Sequence, residues 1–248
     1  MDYIENLKLF YSINYKSLFN YRKFNRFNRI INEIDHYSPR NILDVGCGTG
    51  GYCIFLKNKG YDIKGVDIDS KKLSEGLQFD KSCNISYGSA TKLPFENEKF
   101  DLVLITEVME HIKEHDKAIK EASRVLNKNG IIIITVPTRK YSKWLGNYEY
   151  GHVRDCYTVD ELKDLLSHYF NIEHCGQCGF YIENIIKYID LRINKHKSSD
   201  LLTKSKPDSI LFKLYKYAFF PIISLLLILD NLFQAKEGLN IIIVAKKK

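Results

Sequence analysis

Asn41-Ile-Leu-Asp-Val-Gly-Cys-Gly-Thr-Gly-Gly51 is the stretch on which the fold of this 248-residue chain turns. Ile42, Leu43 and Val45 make a short apolar run that reads as a buried strand. Glycines at 46, 48, 50 and 51 close it, and a helix-like segment follows. Glycines there let the backbone turn sharply and let a ligand approach the main chain. The pattern predicts an α/β protein that holds a nucleotide-like ligand at the carboxyl end of its first strand. Gly46, Gly48 and Gly51 satisfy the G-x-G-x-x-G spacing of dinucleotide sites. Asp67 lies 21 residues beyond Gly46, at the end of a second apolar run from Ile63 to Val66. That spacing suits an acid that hydrogen-bonds ribose hydroxyls.

Asp44 separates one adenosine ligand from another. It stands two residues before Gly46, in the mouth of the loop. A carboxylate there repels a pyrophosphate, which binds through bare amides and a helix N-terminus. It suits a ligand carrying an amino group and a sulfonium, such as S-adenosylmethionine.

Further segments follow in a fixed order. They are Val66-Asp67-Ile68-Asp69, then Tyr87-Gly88-Ser89-Ala90 with Leu93-Pro94-Phe95, then Phe100 to Ile105 with Glu107-Val-Met-Glu-His-Ile112. Arg124-Val-Leu126 and Gly130 to Pro137 complete the series. With Asp44-Val-Gly-Cys-Gly-Thr-Gly50 they resemble the successive motifs of the class I S-adenosylmethionine-dependent methyltransferases, over about residues 38–180 and the last strand. The resemblance implies a Rossmann-like three-layer α/β sandwich. Its sheet is mostly parallel and seven-stranded, with an antiparallel last strand between strands five and six. It also implies S-adenosyl-L-methionine as cofactor. Asp44, Gly46, Cys47, Gly48 and Gly50 would line its methionine part. Asp67 would take the ribose hydroxyls, Ile68 would pack on the adenine, Ser89 and Ala90 would flank the adenine edge, and Thr106 and Glu107 would close the methionine side. Ser89 departs from the family, which usually has Asp there. Serine still accepts a hydrogen bond, without the assistance of a charge.

Between Asn41 and Pro137, strand-like and helix-like segments alternate, as in a parallel sheet with right-handed crossovers. Strands are predicted at 41–45, 62–66, 84–87, 100–105, 130–136, about 171–177 and 239–245. Helices are predicted at 51–59, 70–78, 115–126 and 160–169, the last opened by Thr158 and Glu161 as a capping box. The domain organisation expected is an N-terminal helical cap at 1–37, a core at 38–180 and 237–248, and a helical insertion at 181–236. The cap packs beside the core, with Tyr11 or Tyr15 as candidates to touch substrate.

The insertion contains Ile182 to Ile193 at helical spacing, a polar stretch, and an apolar run from Tyr217 to Leu229 broken by Pro221. That run is 13 residues, short of the roughly 20 a helical span needs. Strand seven must also rejoin the sheet after it. Two roles stay open: a cap over an apolar acceptor or a homodimer surface, and contact with a membrane interface through Lys213, Lys216 and their neighbours.

The net charge of +7 lies in the flanks. Residues 1–40 carry 7 basic and 4 acidic groups, residues 181–248 carry 12 and 6, and the middle carries 18 and 20. No nucleic-acid partner is expected. Six scattered cysteines and a charged Met1–Phe10 stretch point to a reducing, cytoplasmic setting, peripheral at the membrane if the insertion touches lipid.

Methyl transfer from a sulfonium is an in-line displacement that needs positioning and exclusion of water. An oxygen acceptor also benefits from a base. His111, after strand four, and His152, in the loop after strand five, are the catalytic candidates. Arg154 is expected to pair locally with Asp155 or Asp160. His174 with Cys175-Gly-Gln-Cys178 lacks the second ligand pair of a structural zinc site, so no metal is expected. The acceptor expected is a small or lipid-linked molecule, methylated at oxygen. Two alternatives are an NAD-dependent oxidoreductase and a catalytically inactive methyltransferase-like binding subunit.

Overall fold

The computed structural model describes residues 24–138, 152–154, 156–178 and 238–248. Most of the cap and the whole of the 181–236 insertion lie outside the described residues, as do Tyr11, Tyr15 and Asp155. The chain divides into two units, Met1–Arg29 with Gln177–Leu239 and Ile30–Gly176 with Asn240–Lys248. The sheet and the site are described within the second.

Seven strands form one sheet: β1 (Asn41–Val45), β2 (Asp62–Asp67), β3 (Ile85–Tyr87), β4 (Phe100–Thr106), β5 (Leu126–Pro137), β6 (Phe170–Cys178) and β7 (Asn240–Lys247). Their order is β3-β2-β1-β4-β5-β7-β6. The pairs β1–β2, β1–β4, β2–β3 and β4–β5 are parallel. β7 runs antiparallel to β5, with Ile133 opposite Val244 and Thr135 opposite Ile242. The helices are α1 (Phe24–Tyr37), α2 (Gly51–Asn58), α3 (Ser70–Phe79), α4 (His115–Val125) and α5 (Val159–Ser167), with a 3-10 turn at Met109–His111.

The near-continuous apolar character of the central strands follows from burial on both faces. Leu43, Val45, Val103, Ile105 and Ile132 pack in one cluster with Ala118 and Ile119 of α4 and Leu162 of α5. The alternate residues Ile42, Leu102, Leu104, Ile133 and Ile242 are also fully buried, so the opposite face is covered as well. In α1, Ile30, Ile31 and Ile34 are fully buried, as their helical spacing requires. The capping box of α5 forms as predicted: Glu161 N donates to Thr158 Oγ1 at 3.2 Å and Thr158 N to Glu161 Oε2 at 2.8 Å.

One boundary differs appreciably from the sequence expectation. β5 begins at Leu126 rather than at Gly130, because Leu126 already pairs with Phe100 before the register shifts to Leu102 opposite Ile131. The order reverses between β1 and β4. At that point the carboxyl ends of two parallel strands diverge and leave a crevice, the usual ligand position in such sheets.

Candidate active site

The loop after β1 is folded against two neighbours. Gly46 N and Cys47 N both donate to Val66 O, at 2.7 and 3.0 Å, which ties the loop to the end of β2. Gly46 has φ +77°, and a Cβ there would stand 2.3 Å from Val108 Cγ2. Only glycine accommodates both the backbone and the approach of the β4 loop. A second close approach explains a glycine inside α3. A Cβ on Gly76 would meet Thr49 O at 2.4 Å, so Gly76 lets that helix back the loop.

Two carboxylates occupy the crevice in different states. Asp67 is buried, and each of its oxygens is already engaged: Gly48 N donates to Oδ2 at 2.7 Å and Asp69 N to Oδ1 at 2.8 Å. Each oxygen keeps acceptor capacity for a hydroxyl. Asp44 is 1% exposed, and among the described residues its Oδ1 has no hydrogen-bond partner. The neighbour of Oδ2 is Cys53 Sγ at 4.0 Å. Burial, reinforced by the charge of Asp67, pushes the Asp44 carboxyl up to about 7. A buried carboxylate left so is costly unless a cationic group meets it. The site therefore fits a ligand with a positive group beside Asp44 and hydroxyls beside Asp67.

Toward the β3 edge, Ile68 is 65% exposed and Tyr87 is 66% exposed. Asp67 and Tyr87 are register partners at the ends of β2 and β3, so two large apolar side chains are presented at one edge, where a flat ring could pack. Tyr87, which opens the Tyr87-Gly88-Ser89-Ala90 motif, is not among the residues the resemblance assigns to the cofactor; an aromatic residue ending a strand just before Gly88 is the available signal. Ser89 Oγ lies 2.9 Å from Thr91 Oγ1 and accepts from Thr91 N at 3.3 Å. Thr91 thus shares the place expected of Ser89 and Ala90.

On the β4 side, Thr106 ends the strand opposite Thr135. Glu107 follows at φ +57°, a strained backbone for a non-glycine residue and one that recurs at functional sites. Three groups hold it. Its N–H donates to Thr135 O at 2.9 Å, and its carboxylate accepts from Asn240 Nδ2 at 3.0 Å on both oxygens and from Thr135 Oγ1 at 3.3 Å. Asn240, the first residue of β7, reaches the site only through the antiparallel pairing. Nothing in the local sequence marks it.

The structure brings His111 and His152 together, with ring centroids 4.9 Å apart and planes at 79°. Burial, then the neighbouring His111, hold His152 below the ordinary histidine value, against an opposing effect of Glu107. Its ring is therefore neutral near pH 7. His152 Nδ1 lies 3.7 Å from Cys156 Sγ.

A brace fixes this juxtaposition. Val153 N donates to Glu110 O at 3.0 Å. Arg154 donates from Nη2 to Ile112 O at 2.6 Å and to Lys113 O at 3.0 Å, and from Nη1 to His115 Nδ1 at 2.9 Å. Its guanidinium also lies 5.3 Å from the centre of the Tyr157 ring, and Tyr157 OH donates to Met109 O at 3.3 Å. The expected pairing of Arg154 with Asp160 is corrected accordingly. The carbonyls at the end of the 3-10 turn offer a planar donor fork better-placed acceptors. His174, which drew attention beside two cysteines, is engaged by Glu33 Oε1 of α1 at 2.7 Å.

Residues 43–134 match the family described as a methyltransferase domain. Over 104 residues the chain is 38% identical to ajmaline N-methyltransferase of Rauvolfia serpentina, covering 39% of this chain and 35% of that one. Over 122 residues it is 29% identical to a ubiquinone biosynthesis O-methyltransferase of Bradyrhizobium diazoefficiens, covering 48% of each. It thus spans about a third of the first relative and about half of the second. The structure of phosphoethanolamine N-methyltransferase 2 of Haemonchus contortus, in complex with S-adenosyl-L-methionine, shares the fold. Its TM-score is 0.58 at 19% identity, over 89% of this chain and 52% of that one.

Proposed function

We propose that this chain, which belongs to the class I S-adenosylmethionine-dependent methyltransferases, binds S-adenosyl-L-methionine and methylates an oxygen of a small acceptor by in-line displacement. The observation that carries the cofactor assignment is the pair of carboxylates flanking one glycine loop, with Asp44 buried and its Oδ1 lacking a hydrogen-bond partner among the described residues. When bound, the cofactor supplies an electrophilic methyl group on a sulfonium. Asp44 meets the positive amino end and Gly46 to Gly50 admit it closely. Asp67 accepts from the ribose hydroxyls, Ile68 packs on the base, and Ser89 and Ala90 flank its edge. Thr106 and Glu107 close the methionine side. A pyrophosphate is disfavoured beside Asp44, which argues against a dinucleotide oxidoreductase. The intact loop and engaged Asp67 argue against a subunit that has lost its cofactor.

His111 and His152 face the acceptor and activate it. Oxygen is favoured because a hydroxyl is a poor nucleophile until its proton is removed, whereas a neutral amine attacks through its lone pair, and the two imidazoles are placed to take that proton. The brace from Arg154 and Tyr157 keeps the pair in place, and so serves positioning rather than proton transfer.

Release of S-adenosylhomocysteine from S-adenosylmethionine in the presence of phenolic acceptors is the expected activity. Turnover of amines with none of phenols would move the acceptor atom to nitrogen. His152→Ala should lower kcat by roughly 100- to 10,000-fold while leaving S-adenosylhomocysteine affinity unchanged.

No helix among the described residues is long and apolar enough to cross a membrane. The sequence at 181–236 supports an apolar or lipid-linked acceptor, a homodimer contact, or contact with a lipid surface. Co-sedimentation with anionic vesicles at low salt tests the last of these, and absence of binding would remove it.

A further inference from the structure

We infer that Glu110, His111 and His152 form a binding site for one divalent transition-metal cation on the acceptor side of the crevice. The inference rests on the assignment of the two histidines to the acceptor side and goes beyond it.

Each of the three side chains offers one ligand atom, and these atoms all lie within 4.8 Å of one another. Two donors on one ion, at about 2.1 Å each, stand at most about 4.2 Å apart. Small side-chain rotations therefore close the set. His111 is exposed and His152 partly so. Glu110, by contrast, is 1% exposed and fixed.

The donor chemistry is specific. Two imidazoles and one carboxylate suit zinc, manganese or ferrous iron rather than magnesium or calcium, which prefer all-oxygen shells. A third, independent feature is convergence. Glu110 and His111 come from the turn after β4, and His152 comes from a segment 41 residues further on. The two are joined by Val153 N donating to Glu110 O and by the Arg154 contacts to Ile112 O and Lys113 O. These bonds fix the two backbone segments from which the three donors project. Glu107 adds a second negative charge to the neighbourhood, oriented by Asn240 and Thr135.

Three protein donors leave coordination positions open. A hydroxyl acceptor can fill one of them, its O–H bond breaking and its proton passing to water, so that the cation holds the oxygen as an anion at neutral pH. Methyl transfer then proceeds onto that oxygen. The cation takes over the activation otherwise left to a free imidazole.

Manganese is the probe of choice, because the six cysteines compete poorly for it. The full-length chain, stripped with chelator, is titrated with Mn2+ and the free ion is followed by its electron paramagnetic resonance signal. One bound Mn2+ per chain is expected. His111→Ala and His152→Ala should each weaken it by at least roughly 10- to 100-fold, and the Cys175→Ser/Cys178→Ser variant should bind as the parent does. Free Mn2+ at every ratio up to millimolar, or unchanged binding in the His111→Ala/His152→Ala double variant, would overturn the proposal. S-adenosylhomocysteine affinity, measured on the same samples, reports folding and separates the two claims. Its loss in the parent chain sinks the cofactor assignment and not the metal, and its retention without Mn2+ binding does the reverse.

Discussion

The two halves of the crevice are built by different means. The cofactor half is local: Gly46, Cys47 and Gly48 bond to Val66 O and to Asp67, all within 21 residues of chain, and the shape is set by backbone. The acceptor half is assembled from afar. The turn at Met109–His111 is held by Val153, Arg154 and Tyr157, 42 to 48 residues further along the chain. One half depends on glycine conformations and strand ends, the other on side-chain tethers. Damage to the first should therefore abolish cofactor binding, and damage to the second should spare it.

The largest expected effect is on stability and comes from Asp44. Its carboxyl sits at about 7 in the folded chain against an ordinary 3.8. Between about pH 4 and pH 7 the folded state therefore holds a proton that the unfolded state has lost, and stability falls as pH rises through that window. Asp44→Asn should stabilise the ligand-free chain at pH 8 by up to about 4 kcal/mol, with the gain vanishing near pH 4. The same variant should bind S-adenosylmethionine more weakly than the parent. Thermal melts at the two pH values test it, and a variant that melts below the parent at pH 8 would contradict the state assigned to Asp44.

Gly46→Ala comes next. The left-handed backbone and the 2.3 Å approach to Val108 should together cost about 2–4 kcal/mol and remove cofactor binding, as read by denaturant titration and calorimetry. Asp67→Ala should weaken S-adenosylhomocysteine by about 1–3 kcal/mol, since charge-assisted bonds to ribose and to Gly48 N are lost. An unchanged affinity would refute the ribose role.

Arg154→Ala sharpens the contrast from the other side. Turnover should fall while S-adenosylhomocysteine affinity stays within about twofold, because the bonds lost are to Ile112, Lys113 and His115 and not to the loop. The smallest effect is that of Asn240→Ala, about 1 kcal/mol of stability, from the loss of the amide that orients Glu107. A modest fall in S-adenosylhomocysteine affinity should accompany it, and an unchanged affinity would mean that Glu107 does not close the methionine side.

The same difference explains what could be read from sequence. Strands and helices from Asn41 to Pro137 were legible because period, glycine spacing and caps all act within a few residues. The capping box of Thr158 and Glu161 is one instance. The place of β7 between β5 and β6 came from resemblance rather than from any local signal. In the site, Asp44, Gly46 and Asp67 announced themselves by position next to strand ends. Asn240, Thr135 and Tyr157 did not, because their parts depend on which distant strands and turns meet. Arg154 was visible as a charged residue, but its acceptors are backbone carbonyls, which sequence does not display. No metal was expected at His174 and its cysteines, and Glu110 and His111 meet His152, 41 residues beyond His111, only in three dimensions.

Isothermal titration of the chain at pH 8 with S-adenosylhomocysteine and, separately, with NAD tests the loop at 41–51 most directly. Saturable binding of S-adenosylhomocysteine, weakened in Asp67→Ala, and no heat from NAD is the result expected. Tight binding of NAD with no response to S-adenosylhomocysteine or S-adenosylmethionine would contradict it.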